Sequence, residues 1–218
     1  MTLTEKDFWT NPYLTRLDTH ITRVEAETVQ VARSIFYAAS GGQESDEGSI
    51  GGRRVVEARK DGLDLIYSLD STEGLEPGTP VTIEIDGARR LALMRLHFAA
   101  ELTLELVYRQ VAGIEKIGAH IARDKARIDF LHDGNIAVLF PALLSEVERI
   151  IAANLPIESA FSDVESQRRY WRIEGFARVP CGGTHPGRSG EVGAIALKRK
   201  NIGKGKERIE ITLASPPR

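Results

Sequence analysis

Short runs of β-branched residues separated by glycine occupy the first part of the chain. From residue 14 to about residue 86, runs such as RRVVEARK and PGTPVTIEID follow one another, with Gly-Gly and Asp-Gly pairs between them. Runs of this length bounded by glycine are typical of strands joined by tight turns. We therefore predict a small N-terminal β-barrel-like domain over residues 1–87.

The pattern changes at Ala88, where apolar residues begin to recur every three or four positions. No glycine or proline occurs from residue 88 to residue 112, so nothing in this stretch interrupts a helix. We predict a long helix here and place the domain boundary just before it. The apolar positions of the helix are Leu93, Leu96, Ala100, Leu104 and Val107.

Strand-like and helical runs alternate through the rest of the chain. IEKIGAHIAR and KARIDFLHD predict two strands around Asp124, and PALLSEVERIIAAN predicts a helix that Pro141 opens and Pro156 closes. LPIESAFSDVE, AIALKRK and ERIEITLA predict three further strands. Residues 88–218 are therefore predicted to form an α+β domain with an antiparallel sheet and packed helices, and the fold class of the whole chain is α+β.

The composition is that of a globular protein. The chain has 218 residues, of which 42% are hydrophobic and 28% charged, enough for two small domains with cores of their own. It has no apolar run of bilayer length, and its first residues are polar and acidic where a signal peptide would be basic and then apolar. We expect a cytoplasmic protein with no membrane partner.

Two pairs of metal-ligand residues are each spaced four apart. His97 and Glu101 lie one turn apart on the predicted helix, and Cys181 and His185 flank a Gly-Gly-Thr segment that lets the backbone curl. Either pair alone has a structural explanation: a buried histidine beside a solvated helix acid, or a glycine turn with a buried thiol. Thiolate and imidazole together suit zinc better than calcium or magnesium, so the two pairs predict one Zn²⁺ site.

Several segments occur in an order known from one protein family. They are FYAASGGQESDEGSI, MRLHFAAE, IGAHIARDKARIDF, GFARVPCGGTHPGRSGEVGAIAL and KGKERIEI, which span about residue 35 to residue 213. With these segments the chain resembles the editing domain of alanyl-tRNA synthetase and its freestanding relatives, the AlaX-type trans-editing proteins. The resemblance implies hydrolysis, at a zinc ion, of the ester that joins serine or glycine wrongly to the acceptor end of tRNA(Ala).

The resemblance also implies roles for individual residues. His97, Cys181 and His185 match the metal ligands of the family, and Gln43 matches a glutamine of the editing pocket. We assign Gln43 and Thr184 to the substrate pocket and consider Gln43 a candidate catalytic residue. Without the resemblance, a glutamine beside a glycine turn is as often a surface residue.

Two positions depart from the family pattern His-Thr-Ala-x-His, because Phe98 replaces the threonine and Glu101 the second histidine. Glu101 could serve as a fourth zinc ligand, or it could stand beside three ligands as a catalytic general base. Phe98 is assigned to the substrate pocket, where it would weaken recognition of a serine hydroxyl, unless it points into the core.

Basic residues gather near the C-terminus of a chain whose net charge is −2. This local excess predicts a tRNA-binding loop, although a solvated hairpin tip would have a similar composition. The predicted contacts are Lys198, Arg199, Lys200, Lys204 and Lys206.

The leading functional hypothesis is an aminoacyl-tRNA hydrolase that acts in trans and uses no ATP, since the chain has no room for an aminoacylation module. Two alternatives remain open. The chain could be a tRNA-binding or metal-binding relative that has lost hydrolysis, or a hydrolase of small esters or amides.

Overall fold

The computed structural model describes residues 3–214 and divides the chain into two compact units. The division on the longest helix falls between Leu91 and Ala92. The fold is α+β, as predicted, and its sheets are mostly antiparallel. The first unit comprises the chain up to Ser40, Glu44–Leu91 and Val164–Gln167, and the second comprises Gly41–Gln43, Ala92–Asp163 and the chain from Arg168.

Within the first unit, six strands pair in the closed order β2-β3-β7-β6-β5-β8, so each of the six has two neighbours. All pairings in this ring are antiparallel, and β1 and β4 form a separate parallel pair. The strands are β1 (Glu5–Lys6), β2 (Arg16–Glu25), β3 (Thr28–Val31), β4 (Arg33–Ser34), β5 (Gly48–Ile50), β6 (Arg53–Asp61), β7 (Asp64–Leu69) and β8 (Pro80–Ile85).

The core of this unit follows from the alternation of its strands. In β7, Leu65, Tyr67 and Leu69 are buried while the residues between them are partly exposed. Successive side chains of a strand point to opposite faces, so one face of the strand fills the core. Tyr67 also packs edge-to-face on Phe36, with ring centroids 5.6 Å apart.

A buried ion pair lies beside this core. The guanidinium of Arg90 donates to both carboxylate oxygens of Asp46, and it also donates to the carbonyls of Ile35 (2.6 Å) and Pro12 (2.8 Å). Arg90 and Asp46 have side chains that are only 2% and 0% exposed. Asp46 also accepts the backbone N–H of Tyr37 at 2.7 Å. The pair therefore joins four segments of the unit, which contain Pro12, Ile35 with Tyr37, Asp46 and Arg90.

Up to residue 214, the second unit contains two antiparallel sheets and two α-helices. The four-stranded sheet has the order β14-β15-β10-β9, and the three-stranded sheet has the order β11-β12-β13. The elements are α1 (Gly87–Gln110, which begins in the first unit), β9 (Glu115–Ile121), β10 (Ala126–Leu131), α2 (Phe140–Ala152), β11 (Glu158–Asp163), β12 (Arg168–Ile173), β13 (Ala177–Pro180), β14 (Ile195–Gly203) and β15 (Lys206–Leu213). Short 3-10 segments occupy Asp7–Trp9, Ile136–Leu139 and Ser189–Val192.

Helix α1 is buried on most of its surface from Leu93 to Val107. A helix that is apolar on several faces lies inside a domain, whereas a surface helix has a single apolar stripe. The polar exceptions inside this stretch are therefore informative, since each needs a partner when it is buried. His97 is 4% exposed, and Glu101 is the next polar side chain on the same face.

Both predicted helices and the strands around Asp124 are confirmed, as are the two C-terminal strands. The sequence patterns missed β12 and β13, which the structure places directly before the Cys181 segment. Among residues 3–214, neither helix has the length and apolar character needed to cross a membrane.

We predict that Asp46→Ala lowers the free energy of unfolding by about 3–5 kcal/mol, because it leaves a buried guanidinium without its countercharge. Urea denaturation measures this change. Glu84→Ala is the matched control, because it removes an ion pair with Arg16 whose side chains are more than half exposed, and it should cost less than about 1 kcal/mol. Equal, small losses for the two variants would contradict the role given to Asp46.

Candidate metal centre

Four potential ligands converge in the second unit. Helix α1 contributes His97 and Glu101, and the segment after β13 contributes Cys181 and His185. The Sγ of Cys181 lies 3.5 Å from Nε2 of His97 and 3.3 Å from Nε2 of His185. Oε1 of Glu101 lies 3.4 Å from Nε2 of His97 and 3.9 Å from Sγ. The two predicted pairs therefore form one cluster.

The separations within this cluster fit a zinc ion. Tetrahedral ligands that lie about 2.0–2.3 Å from one zinc ion are about 3.3–3.8 Å from each other. The ligand atoms of His97, Cys181 and His185 all lie within 4.8 Å of one another. Glu101 is not part of that mutually close set, although it contacts two of its members. The structure thus presents three closely grouped ligands with a carboxylate beside them.

The backbone of the CGGTH segment explains how the two halves meet. The N–H of Cys181 donates to the carbonyl of Arg169 at 2.9 Å, so Cys181 continues the ladder between β12 and β13. At Gly183, a Cβ atom would clash with the ring of His97 and lie 2.9 Å from Oε1 of Gln43. Only glycine allows the backbone to pass this close to the histidine.

Gln43 is 1% exposed and holds His97 in place. Its Oε1 accepts the backbone N–H of Thr184 at 3.3 Å, and its Nε2 donates to the Thr184 hydroxyl at 3.0 Å. Oε1 also lies 2.7 Å from Nδ1 of His97. Because Oε1 can only accept, Nδ1 of His97 must carry the proton, which leaves Nε2 to face the metal position.

Glu101 and His185 also have partners that the sequence did not reveal. The indole N–H of Trp171, a buried residue of β12, donates to Oε2 of Glu101 at 3.2 Å. The hydroxyl of Ser159 on β11 lies 3.3 Å from Nδ1 of His185. Phe98 is fully buried and packs edge-to-face on Trp171 and on His185, at centroid distances of 5.0 and 5.7 Å. It therefore forms part of the core behind the cluster.

Comparison with known proteins assigns the chain to a protein family. Residues 169–210 match the family described as the threonyl and alanyl tRNA synthetase second additional domain. The chain is 30% identical over 216 residues to the alanyl-tRNA editing protein AlaX-M of Pyrococcus horikoshii. This alignment covers 97% of the chain and 98% of the AlaX-M protein. This chain belongs to the AlaX-type editing family.

Other relatives align with a similar share of this chain. AlaX-M of Methanosarcina barkeri is 28% identical over 242 residues, covering 97% of the chain and 99% of that protein. The alanine–tRNA ligase of Methanococcus aeolicus is 28% identical over 235 residues, which cover 96% of the chain but 25% of the ligase. The AlaX-type chain thus corresponds in length to the editing proteins and to one part of the ligase.

The charges of the AlaX-type cluster support one another. Burial alone would raise the pKa of Cys181, but the two histidines lower it to about 6. Burial would likewise raise the pKa of Glu101, but contacts with His97, His185 and Trp171 lower it to about 2. Burial would lower the pKa of His97, yet Cys181 and Glu101 raise it to about 10. The thiolate is thus favoured at neutral pH, and it is the form that binds zinc.

The predicted tRNA contacts separate into two groups. Lys198, Lys200, Lys204 and Lys206 are exposed on β14, β15 and the turn between these strands. Arg199 points to the other face of β14, where it pairs with Glu207, a carboxylate that is 1% exposed. The charge of Arg199, whose side chain is 34% exposed, is therefore paired with a buried carboxylate of the AlaX-type fold.

We predict that, in metal-free AlaX-type protein, alkylation of Cys181 by iodoacetamide follows a thiolate titration with a midpoint near pH 6. Cys181 is the only cysteine, so the modification reports on one site. Added zinc should suppress the alkylation, because the bound ion makes the thiolate of Cys181 unavailable. Protein unfolded in urea is the control and should show the ordinary thiol midpoint of about 8.5. The same high midpoint in the folded protein would disprove the lowered pKa.

Proposed function

We propose that the chain is a trans-acting deacylase that hydrolyses mischarged tRNA(Ala) carrying serine or glycine. The observation that carries the proposal is the convergence of His97, Cys181 and His185 in a chain that aligns almost from end to end with proteins named for alanyl-tRNA editing. In this proposal the protein acts in the cytoplasm, where charged tRNA is used. The reaction needs no ATP, because ester hydrolysis is favourable by itself.

His97, Cys181 and His185 would hold a zinc ion. When bound, the ion would act as a Lewis acid that polarises an ester carbonyl or lowers the pKa of water. Gln43 positions His97 by accepting its Nδ1 proton, so the histidine keeps one tautomer and one ring orientation. Thr184 completes this support, since its N–H and hydroxyl both bind the Gln43 amide. In the proposal, Gln43 and Thr184 form the wall of the substrate pocket nearest the ligands.

Glu101 is proposed to accept a proton from the attacking water. Three grouped ligands with an open position are the usual arrangement of a catalytic zinc site, and Glu101 stands outside the close set of three. The hydrogen bond from Trp171 occupies Oε2 and leaves Oε1 directed at the cluster. The lowered pKa of Glu101 keeps this carboxylate unprotonated at neutral pH, which a proton acceptor requires, and it also makes the group a weaker base than an ordinary glutamate.

Phe98 is proposed to influence amino-acid choice indirectly. Its buried ring supplies no hydroxyl to a substrate and packs against His185. A site without that hydroxyl loses a polar contact to serine, so discrimination between serine and glycine should be weak. The RNA itself is proposed to contact the exposed lysines Lys198, Lys200, Lys204 and Lys206.

The direct test is incubation of the zinc-loaded protein with tRNA(Ala) charged with radioactive serine. We expect release of serine well above the rate without protein, loss of that release after chelation, and recovery with zinc. Gln43→Ala should slow release about 10–100-fold, because it removes the partner that orients a ligand. Gln110→Ala, at the exposed end of α1, is the matched control and should have no effect.

Failure of the zinc-loaded protein to release serine or glycine above the chelated control would contradict the deacylase proposal. Retained binding of tRNA with no release would then favour the alternative of a binding protein. Hydrolysis of small esters without any dependence on RNA would favour the other alternative.

A further inference from the structure

The four-stranded sheet of the second unit has one apolar face and one charged face. Ile128, Phe130, Ile209 and Ile211 are buried in the core of the unit. Because side chains alternate along a strand, their neighbours in sequence lie on the opposite face, which we call the outer face. The register then forms two rows across this face. One row is Lys200, Arg208, Asp129 and Gly118, and the other is Lys198, Glu210, Arg127 and His120.

Asp129 joins two arginines at the centre of the outer face. Its carboxylate accepts Nε of Arg208 at 2.6 Å and Nη2 of Arg208 at 3.0 Å, and it also accepts Nη1 of Arg127. Asp129 is 7% exposed, while the side chains of Arg127 and Arg208 are 32% and 19% exposed. One carboxylate cannot neutralise two guanidinium groups, so the trio keeps a positive charge and unused N–H donors.

The remaining charges of the outer face add to this excess. Lys198 and Lys200 are exposed beside the arginine pair. Glu210 is the other carboxylate in the two rows, and Lys125 lies 3.5 Å from it. The whole chain has a net charge of −2, so positive charge is concentrated on one side of this sheet. Such a concentration attracts polyanions, and arginines held in fixed orientation suit the geometry of phosphate groups.

The outer face also begins next to the metal centre. The N–H of Ile121 on β9 donates to the carbonyl of Gly42 at 2.7 Å, and Gln43 forms a bridge with the same residue. The loop that carries Gln43 therefore lies along the edge strand of the sheet. Adjacent strands are about 4.8 Å apart, so the arginines of β10 and β15 lie about one and two strand spacings from that edge.

We propose that the outer face of this sheet binds the phosphate backbone of the RNA substrate, with Arg127 and Arg208, oriented by Asp129, as its central phosphate-binding pair. The proposal rests on the proposed function for the identity of the substrate. It adds a binding surface in which the arginine pair works with Lys198 and Lys200 of the neighbouring strand.

The test measures binding of an uncharged tRNA(Ala) transcript to the zinc-loaded protein over a range of salt concentrations. For the double variant Arg127→Gln/Arg208→Gln we expect about tenfold weaker binding or more at low salt, and a log–log salt slope smaller by about 1–2, because phosphate contacts are lost. Arg149→Gln is the matched control. It removes an exposed ion pair with Glu146 on α2 and should bind RNA like the wild type.

A second variant, Lys198→Gln/Lys200→Gln, tests whether weaker binding could come from misfolding, because this variant leaves no buried carboxylate without its partner. It should lower the salt slope in the same way with unchanged thermal stability. Unchanged salt slopes for both double variants, with serine release intact, would contradict the proposed RNA-binding surface. They would not contradict the proposed deacylase activity. Reduced slopes in a protein that releases no serine would support the surface and contradict the proposed function.

Discussion

The close passage of the CGGTH segment over helix α1 is the constraint on which the site depends. Gly183 lies where a side chain would collide with His97, and this approach brings Cys181 and His185 to the face of the helix that carries His97 and Glu101. Gln43 binds both partners at the same point, since its amide contacts His97 and Thr184. A long helix, a glycine turn and a loop from early in the chain are thereby held as one cluster.

Around this contact, the surrounding residues fix what each ligand can do. Gln43 binds Nδ1 of His97, so Nε2 is the nitrogen that faces the cluster. Ser159 lies at Nδ1 of His185, and Trp171 binds one oxygen of Glu101. Partners of this kind orient metal ligands and tune their basicity. Glu101 is therefore held by a specific donor.

Local patterns in the sequence were sufficient for the parts of the structure that depend on near neighbours. The spacing of apolar residues predicted α1, and the four-residue spacing predicted which ligands share a helix face or a turn. The meeting of the two pairs was predicted from the metal preference of their residue types and from the family resemblance, because no local pattern encodes a contact between residues more than eighty positions apart. The contact of Trp171 with Glu101 was not predicted because strand β12 was not predicted. The short run of arginines and aromatic residues in β12 lacks a clear apolar alternation. The opposite orientation of Arg199 could have been found from strand alternation alone.

The central claim is that His97, Cys181 and His185 form a zinc site, and the most direct measurement is metal analysis combined with X-ray absorption at the zinc edge. Protein purified without chelator should contain about one zinc per chain, bound to one sulfur and otherwise to nitrogen or oxygen ligands. Cys181→Ser should remove the sulfur contribution. Protein that is free of metal, or zinc with no sulfur ligand in the wild type, would contradict the account.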